Sequence, residues 1–413
     1  MSKLESKGLV PELRFSQFIG GTEWQKKPFN KLYTLKVTNS LSRDKLNYDD
    51  GLVKNIHYGD IHTKFSTLFD ITKEYVPFIN TEISLDKVKE ESYCQEGDMV
   101  FADASEDIDD VGKSIELINL NGEKLLSGLH TILARQKGSY LVKGFGGYLF
   151  KSEVIRKQIQ KESQGAKVLG ISGSRISNID VIYPIDHDEQ QKIADCLSSM
   201  DDLITTNTKK LDSLKLHKKG LLQTLFPEEG KSVPELRFDG FNGCWKKKPF
   251  SKLFEIGSGK DHKHLADGDI PVYGSGGYMR SVNDYLYEGK SACIGRKGTI
   301  NKPVLLAGKF WTVDTLFYTH SFKNCIPEFV YLLFQNIDWL KLNEAGGVPS
   351  LSKVIINKIE VFIPEEDEQQ RIVDCVSSLD ELIKIESDKI EALKEYKKGL
   401  MQQLFPEIKE SIA

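Results

Sequence analysis

Long hydrophobic runs are absent from this chain of 413 residues. No stretch approaches the roughly 20 apolar residues of a membrane-crossing helix, and the opening Met1-Ser-Lys-Leu-Glu-Ser-Lys7 lacks the apolar core of a signal peptide. Cysteine is scarce: six residues, at 94, 196, 244, 293, 325 and 375, with no CxxC and no clustering. That excludes a disulfide framework and a thiolate zinc site, and it suits free thiols in a reducing cytoplasm. Cys196 and Cys375, set among apolar residues, are expected to be buried. Signatures of catalysis are missing too. There is no GxxxxGK[ST] phosphate loop, since Gly257-Ser-Gly-Lys260 has the wrong spacing. There is no HExxH, no Cys/His zinc pattern, no Ser or Cys nucleophile motif and no Asn-Pro-Pro-aromatic tetrapeptide. His262 and His264, in a lysine-rich turn, read as solvated side chains and not as metal ligands. A non-catalytic chain that binds no cofactor or metal of its own is the expectation.

Excess charge of one sign is also lacking: 56 Lys+Arg stand against 60 Asp+Glu, a net of −4. The average hides a segregation. Residues 243–363 carry 16 basic and 11 acidic residues, 16 − 11 = +5, whereas 365–405 carry 6 and 11, 6 − 11 = −5. Residues 24–183 balance at 22 and 22. The basic stretch can face phosphates, and the acidic one solvent or a partner protein.

What the chain does have is a repeat. DEQQKIADCLSSMDDLI at 188–204 returns as DEQQRIVDCVSSLDELI at 367–383, with 12 of 17 positions identical. KKGLLQTLFP at 218–227 returns as KKGLMQQLFP at 397–406, at the same offset of 179 residues. Each half is headed by VPELRF, at 10–15 and 233–238, followed by Trp24-Gln-Lys-Lys-Pro-Phe29 and Trp245-Lys-Lys-Lys-Pro-Phe250. The stretches between match poorly. Duplicated supports around dissimilar inserts point to two different readers held in one frame.

The repeats read as helices. Ile193, Met200, Asn207, Leu214 and Leu221 recur every seven residues, with Leu197, Ile204, Leu211 and Leu225 beside them. The second copy gives Ile372, Leu379, Glu386, Leu393 and Leu400, flanked by Val376, Ile383, Ile390 and Leu404. Pro227 and Pro406 end them. This period predicts a coiled coil of two rods, each about 60 Å long at 1.5 Å per residue. We expect antiparallel pairing, with Asn207 donating to Glu386 in one buried polar layer that fixes register. The predicted fold class is α+β, two mixed strand-rich domains separated by a long antiparallel two-helix coiled coil with an internal pseudo-two-fold repeat. The divisions are an N-terminal segment 1–23, a domain 24–186, a helix 187–226, a linker 227–242, a second domain 243–365, a second helix 366–406 and a tail 407–413.

The inserts read as strands and turns. Asp269-Ile-Pro-Val-Tyr-Gly-Ser-Gly-Gly277 is a strand entering a glycine turn, Lys290-Ser-Ala-Cys-Ile-Gly-Arg-Lys-Gly298 a buried strand with a basic turn, and Phe310-Trp-Thr-Val-Asp-Thr-Leu-Phe-Tyr318 an aromatic strand. Glu96–Ala102 matches Glu288–Ile294 in pattern, and Ile176–Pro184 matches Ile356–Pro364, so the inserts are expected to share a fold.

The duplicated layout resembles the specificity subunit of type I restriction–modification enzymes. Glu189-Gln-Gln-Lys-Ile193 through Phe226-Pro227, and Glu368-Gln-Gln-Arg-Ile372 through Phe405-Pro406, fit that family's repeated helical regions. Pro271–Gly277 with Ile294–Gly298 and Trp311–Asp314 is similar to one class of its target-recognition domains; Tyr58–His62 with Gly97-Asp98 and Phe101–Glu106 is similar to another. The resemblance implies two target-recognition domains that read a bipartite, asymmetric site on double-stranded DNA. It also implies two methyltransferase and two ATP-driven restriction subunits as partners, which use S-adenosylmethionine, ATP and Mg. A rod of fixed length would set the gap between half-sites. The rivals are a self-contained methyltransferase or nuclease, and a scaffold that reads no bases.

For base contacts the sequence favours Arg296 and Lys297 in their glycine-flanked turn, where an arginine can reach a guanine with two hydrogen bonds. Tyr273, Ser275 and Gly277 come next. In the first domain His62, Lys64, Ser105 and Lys113 are the candidates, and Arg175 in Gly170-Ile-Ser-Gly-Ser-Arg175 is expected at a phosphate. Gln190, Gln191, Gln369 and Gln370 are expected to point outward and bind the methyltransferase subunits.

Overall fold

A computed structural model describes residues 9–228 and 230–406, so the tail 407–413 and the first eight residues lie outside the described residues. The chain forms two units: one holds residues up to Thr206 together with Ile390 onward, the other Asn207–Lys389. Two 39-residue helices, His187–Leu225 and Glu366–Leu404, each contribute to both units. In the first unit Ile193, Ala194 and Leu197 share a core with Leu404 and Phe405, and Asp201 pairs with Lys397 at 2.5 Å. In the second, Leu222, Leu225 and Phe226 share a core with Ile372, Val373 and Val376, while Lys218 meets Asp380 and Lys210 meets Glu386, both at 2.6 Å. Rising numbers on one helix meet falling numbers on the other, so the pairing within each unit is antiparallel. The heptad rows are buried or half-buried throughout, because only that stripe faces the partner helix.

Each globular domain is tied off at its base. Gln25–Pro28 pairs antiparallel with Asp180–Tyr183, and Lys246–Pro249 with Glu360–Ile363. Above the clasp the domains share an antiparallel sheet. In the first its order is Tyr33–Lys36, Thr131–Gln136, Met99–Ala102, Ser114–Asn119. In the second it is Glu255–Ser258, Leu316–His320, Ser291–Gly295, Val304–Leu306. The first domain adds a parallel edge strand, Leu68–Asp70. The outer sheets differ: Leu125–Ser127, Lys54–Ile56, Phe78–Ile79, Leu46–Asn47 in the first, and Gly277–Val282, Asp267–Gly274, Lys309–Thr312, Tyr287–Glu288 in the second. The inserts thus share an inner frame and part company outside it.

The repeated motifs meet in one object, built twice. Arg14 lays Nε and Nη2 on the two oxygens of Glu189, both at 2.7 Å, and Trp24 Nε1 donates to Glu189 Oε1 at 3.3 Å. Arg237 does the same to Glu368 at 2.8 and 2.9 Å, with Trp245 Nε1 at 3.3 Å. Both glutamates are buried. The phenylalanines of the LFP tails complete the nest: Phe405 meets the Trp24 ring edge-on at 6.0 Å, Phe226 the Trp245 ring at 6.1 Å. Leu13 N donates to Gln403 O and Leu236 N to Thr224 O, both at 2.9 Å, fastening each strap to a helix end.

Several expectations are corrected here. The segment 227–242 is no bare linker, since Leu236 and Arg237 anchor it. Asn207 and Glu386 are both buried, as the polar layer requires, and Glu386 Oε2 is met by a cation outside the heptad rows, Lys210. Cys196 and Cys375 are half-buried; Cys94, Cys293 and Cys325 are the buried thiols. The aromatic run 310–318 is two strands, Lys309–Thr312 and Leu316–His320, in different sheets.

Removing one partner of a buried, hydrogen-bonded ion pair leaves an uncompensated charge and costs about 3–5 kcal/mol. Glu368→Ala should therefore speed amide exchange in residues 232–250 and 366–376, while the Arg14–Glu189 region keeps its protection. A second test concerns Glu116, buried under the turn at Gly144–Gly147. Burial pushes its carboxyl up to about 7, although Gly144 N and Gly147 N donate to it at 2.8 and 2.7 Å. The folded state then holds a proton that the unfolded chain releases near pH 4.5, so stability falls as pH rises from there through 7. Melting temperatures across that window should decline in the wild type, and Glu116→Gln should flatten the decline.

Candidate nucleic-acid interface

In the second domain two separate segments, 272–275 and 296–297, converge on Thr312–Thr315. Val272 and Tyr273 pair in parallel with Trp311 and Thr312. Arg296 N donates to Thr315 O at 2.8 Å, and Ser275 N to Thr315 Oγ1 at 3.3 Å. Ser275 Oγ bonds Lys297 O at 2.8 Å, joining the hairpin turn to the basic turn. Gly298 has φ +90°, and an added Cβ would sit 3.2 Å from Ser275 Oγ, so glycine there permits the turn. Gly277 has φ +112° in the hairpin turn that leads to exposed Tyr278 and Met279. Arg296, Lys297, Tyr273, Ser275 and Gly277 are therefore brought together, with both cations exposed.

Beside them opens a cleft of about 770 Å³, lined among others by Ser258, Arg296, Lys297, Glu344, Ser350 and Lys353. Three cations against one acid make it a place for an anion. Lys353 donates to Ile256 O at 2.7 Å and lies 5.7 Å over the Phe317 ring. Burial, with the nearby positive charge of Arg296 adding to it, pulls its ammonium below the ordinary lysine range. Ser258, Ser350 and Lys353 escaped the sequence reading. They lie in no motif, each being a single residue that only the tertiary fold brings to the cleft.

The first domain assembles different chemistry. His62 Nε2 meets Ala104 O at 3.0 Å, Lys113 Nζ bonds His62 O at 2.8 Å, and Ser105 follows Ala104 on the same strand. His62, Ser105 and Lys113 thus form one edge, and His62 Nδ1 is buried with no hydrogen-bond partner among the described residues. Lys113 also pairs with Asp110 at 3.2 Å. Lys64 sits elsewhere, 3.0 Å from Asp60. Arg175 lies apart from the group, its Nη1 on Glu162 O at 3.0 Å. Residues that were not among the candidates are His57, Tyr58 (from the Tyr58–His62 stretch) and His130, with Arg43 and Tyr48 beside Lys64 and Asp60. The Tyr58 ring lies 4.7 Å from His57 and 5.3 Å from His130, which bonds Asp103 at 3.1 Å. His130 and Asp103 line a cleft of about 480 Å³ with Asn39 and Thr131.

The glutamines divide. Gln190 and Gln369 do not point outward: both are fully buried. Gln190 bonds Tyr140 O and Pro184 O and accepts from Val142 N; Gln369 bonds Asn324 O and Pro364 O and accepts from Ile326 N. An amide has two donors and an acceptor, so one side chain staples two loops to the helix start. Gln191 and Gln370 are exposed, each 2.8 Å from an aspartate one turn on. Among the described residues no His, Cys, Asp and Glu cluster could hold a metal ion, and no helix is long and apolar enough to cross a membrane.

Comparison with known proteins matches this arrangement. Residues 59–216 and 242–395 each fit the model described as the type I restriction modification DNA specificity domain. A chain of Methanocaldococcus jannaschii, provisionally named the type I restriction enzyme MjaX specificity subunit, is 23% identical over 405 residues, covering 89% of this chain and 88% of its own. The type I restriction enzyme MjaVIII specificity subunit of the same organism is 24% identical over 297 residues, 62% and 68% of the two chains. The crystal structure of a type I restriction–modification S subunit from M. genitalium covers 97% of this chain and 100% of its own, with a TM-score of 0.61 and 16% identity.

Proposed function

Because the chain belongs to the type I restriction–modification DNA specificity family, we propose that it reads one half of a bipartite, asymmetric target with each globular domain and positions catalytic subunits on the DNA between and around the halves. The observation that carries this is the twofold match over 59–216 and 242–395, with a shared inner sheet and latch beneath unlike outer sheets. One frame repeated with two faces is what two different half-sites require.

The second domain's face is supported as a reader by Arg296 and Lys297, both exposed beside a cationic cleft. Arginine reads guanine through O6 and N7 in the major groove, and lysines next to it neutralise phosphates. The first domain presents a different set of groups, with histidine, tyrosine and asparagine on its outer face, so its half-site differs in sequence. The chain performs no bond chemistry. Two methyltransferase subunits supply S-adenosylmethionine-dependent transfer to an adenine flipped from the stack, and two restriction subunits supply ATP- and Mg-dependent translocation and cleavage. The exposed faces around Gln191 and Gln370 are the proposed contacts for the methyltransferase pair.

Reconstituting the chain with its methyltransferase partners and selecting bound sequences from random duplexes tests this. Two short conserved blocks at a constant spacing are expected; no enriched sequence would mean a scaffold. Labelling of the isolated chain by photoactivated S-adenosylmethionine would mean a self-contained methyltransferase. Within the selected site, Arg296→Ala should cost about 1–3 kcal/mol at one base pair of one block and leave the other block intact. An equal loss at every position would make Arg296 a phosphate contact.

A further inference from the structure

An arginine on the first domain is held in a way that its surroundings do not explain. Arg43 and Asp60 are 17 residues apart and form a two-pronged pair, Nη1 to Oδ2 at 2.8 Å and Nη2 to Oδ1 at 2.9 Å. The carboxylate is buried, with 1% of its side chain exposed, while 42% of the arginine side chain faces solvent. Lys64 adds a contact to Asp60 Oδ1 at 3.0 Å, and Arg43 Nη1 also donates to Tyr48 OH at 3.2 Å.

A guanidinium has five N–H groups in a plane. Asp60 takes the two that face each other between Nη1 and Nη2, and Tyr48 takes the outer one of Nη1. The remaining two, on Nε and the outer side of Nη2, lie along a single edge and point the same way. Among the described residues no group accepts from Nε. An exposed arginine ordinarily wanders and loses about 2 kcal/mol of rotamer freedom on being fixed; here the buried carboxylate has fixed it beforehand. The free edge presents two parallel donors, the pattern that matches the O6 and N7 acceptors of guanine in the major groove. The segment 43–50 carries Arg43 and Lys45 against Asp44, Asp49 and Asp50, 2 − 3 = −1, so no excess of positive charge in that segment draws a phosphate.

We infer that Arg43 reads a guanine in the half-site of the first domain through its Nε/Nη2 edge, with Asp60 as the positioning residue; this rests on the DNA-reading function proposed above. The test uses the full chain with its methyltransferase partners and the duplex selected by the wild-type complex. Each guanine of the selected blocks is replaced in turn by 7-deazaguanine, which keeps O6 and removes N7. One replacement in the block that Arg296→Ala leaves intact should weaken wild-type binding about two- to tenfold, half of what a two-pronged contact discriminates. Arg43→Lys, which keeps the charge and loses the fork, should be indifferent to that replacement and accept other bases there. Asp60→Asn should blunt the discrimination in the same direction. Insensitivity of the wild type to deazaguanine at every position of that block, or a block without guanine, would overturn the inference and leave the two-reader function standing. So would an Arg43→Lys complex that keeps the wild-type response. Failure to select any sequence would overturn both. The wild-type scan needs no variant to fold.

Discussion

Two buried carboxylates carry the architecture. Glu189 and Glu368 sit in the first turns of the long helices and are each surrounded by an arginine fork and an indole N–H. A charge at such depth is tolerated only with its donors in place. That requirement draws together strap, helix start and the LFP end of the other long helix, which are remote in sequence. The next residue, Gln190 or Gln369, extends the hold to the domain's own loops. The three letters Glu-Gln-Gln thus perform three tasks: the glutamate closes the latch, the first glutamine staples the domain, and the second remains at the surface.

This explains why so much of the scaffold was legible in the sequence and so little of the reading surface. Heptad spacing, the Pro stops and the 179-residue offset are local or periodic signals, and they place both helices; the clasps, which pair strands far apart in sequence, were not read from them. Antiparallel direction follows from where the inserts sit. The role of the repeated Arg-Phe and Trp was invisible, because a latch is recognised only when distant pieces meet. Gln190 and Gln369 mislead for a related reason: glutamine in a first helical turn reads as solvated until the loops that enclose it are known. In the second domain Arg296, Lys297 and Ser275 could be named because glycines punctuate their turns. Ser258 and Lys353 could not, being single residues that only the tertiary fold carries to the same cleft. In the first domain the Arg43–Asp60 pair leaves no trace at all, since an arginine and an aspartate 17 residues apart are ordinary.

The two domains also show how one frame accommodates two chemistries. The inner antiparallel sheet keeps the same strand order in both, so the clasp, the helix junction and the core are insulated from whatever the outer sheet presents. One outer face offers cations around a glycine hairpin; the other offers imidazoles, phenols and a fixed guanidinium. Charge follows the same division, with the second insert at a net of +5 and the first at zero.

The clasp has a consequence for inheritance. Each insert enters through Lys-Lys-Pro-Phe and leaves through a short strand ahead of Asp-Glu-Gln-Gln, and the entry and exit strands lie side by side in both copies. A genetic crossover within the repeated segments would replace everything above the clasp as a block and return the chain to an unchanged junction. The protein can therefore acquire a new target in one recombination event, without any stage in which the fold must be rebuilt by successive substitutions.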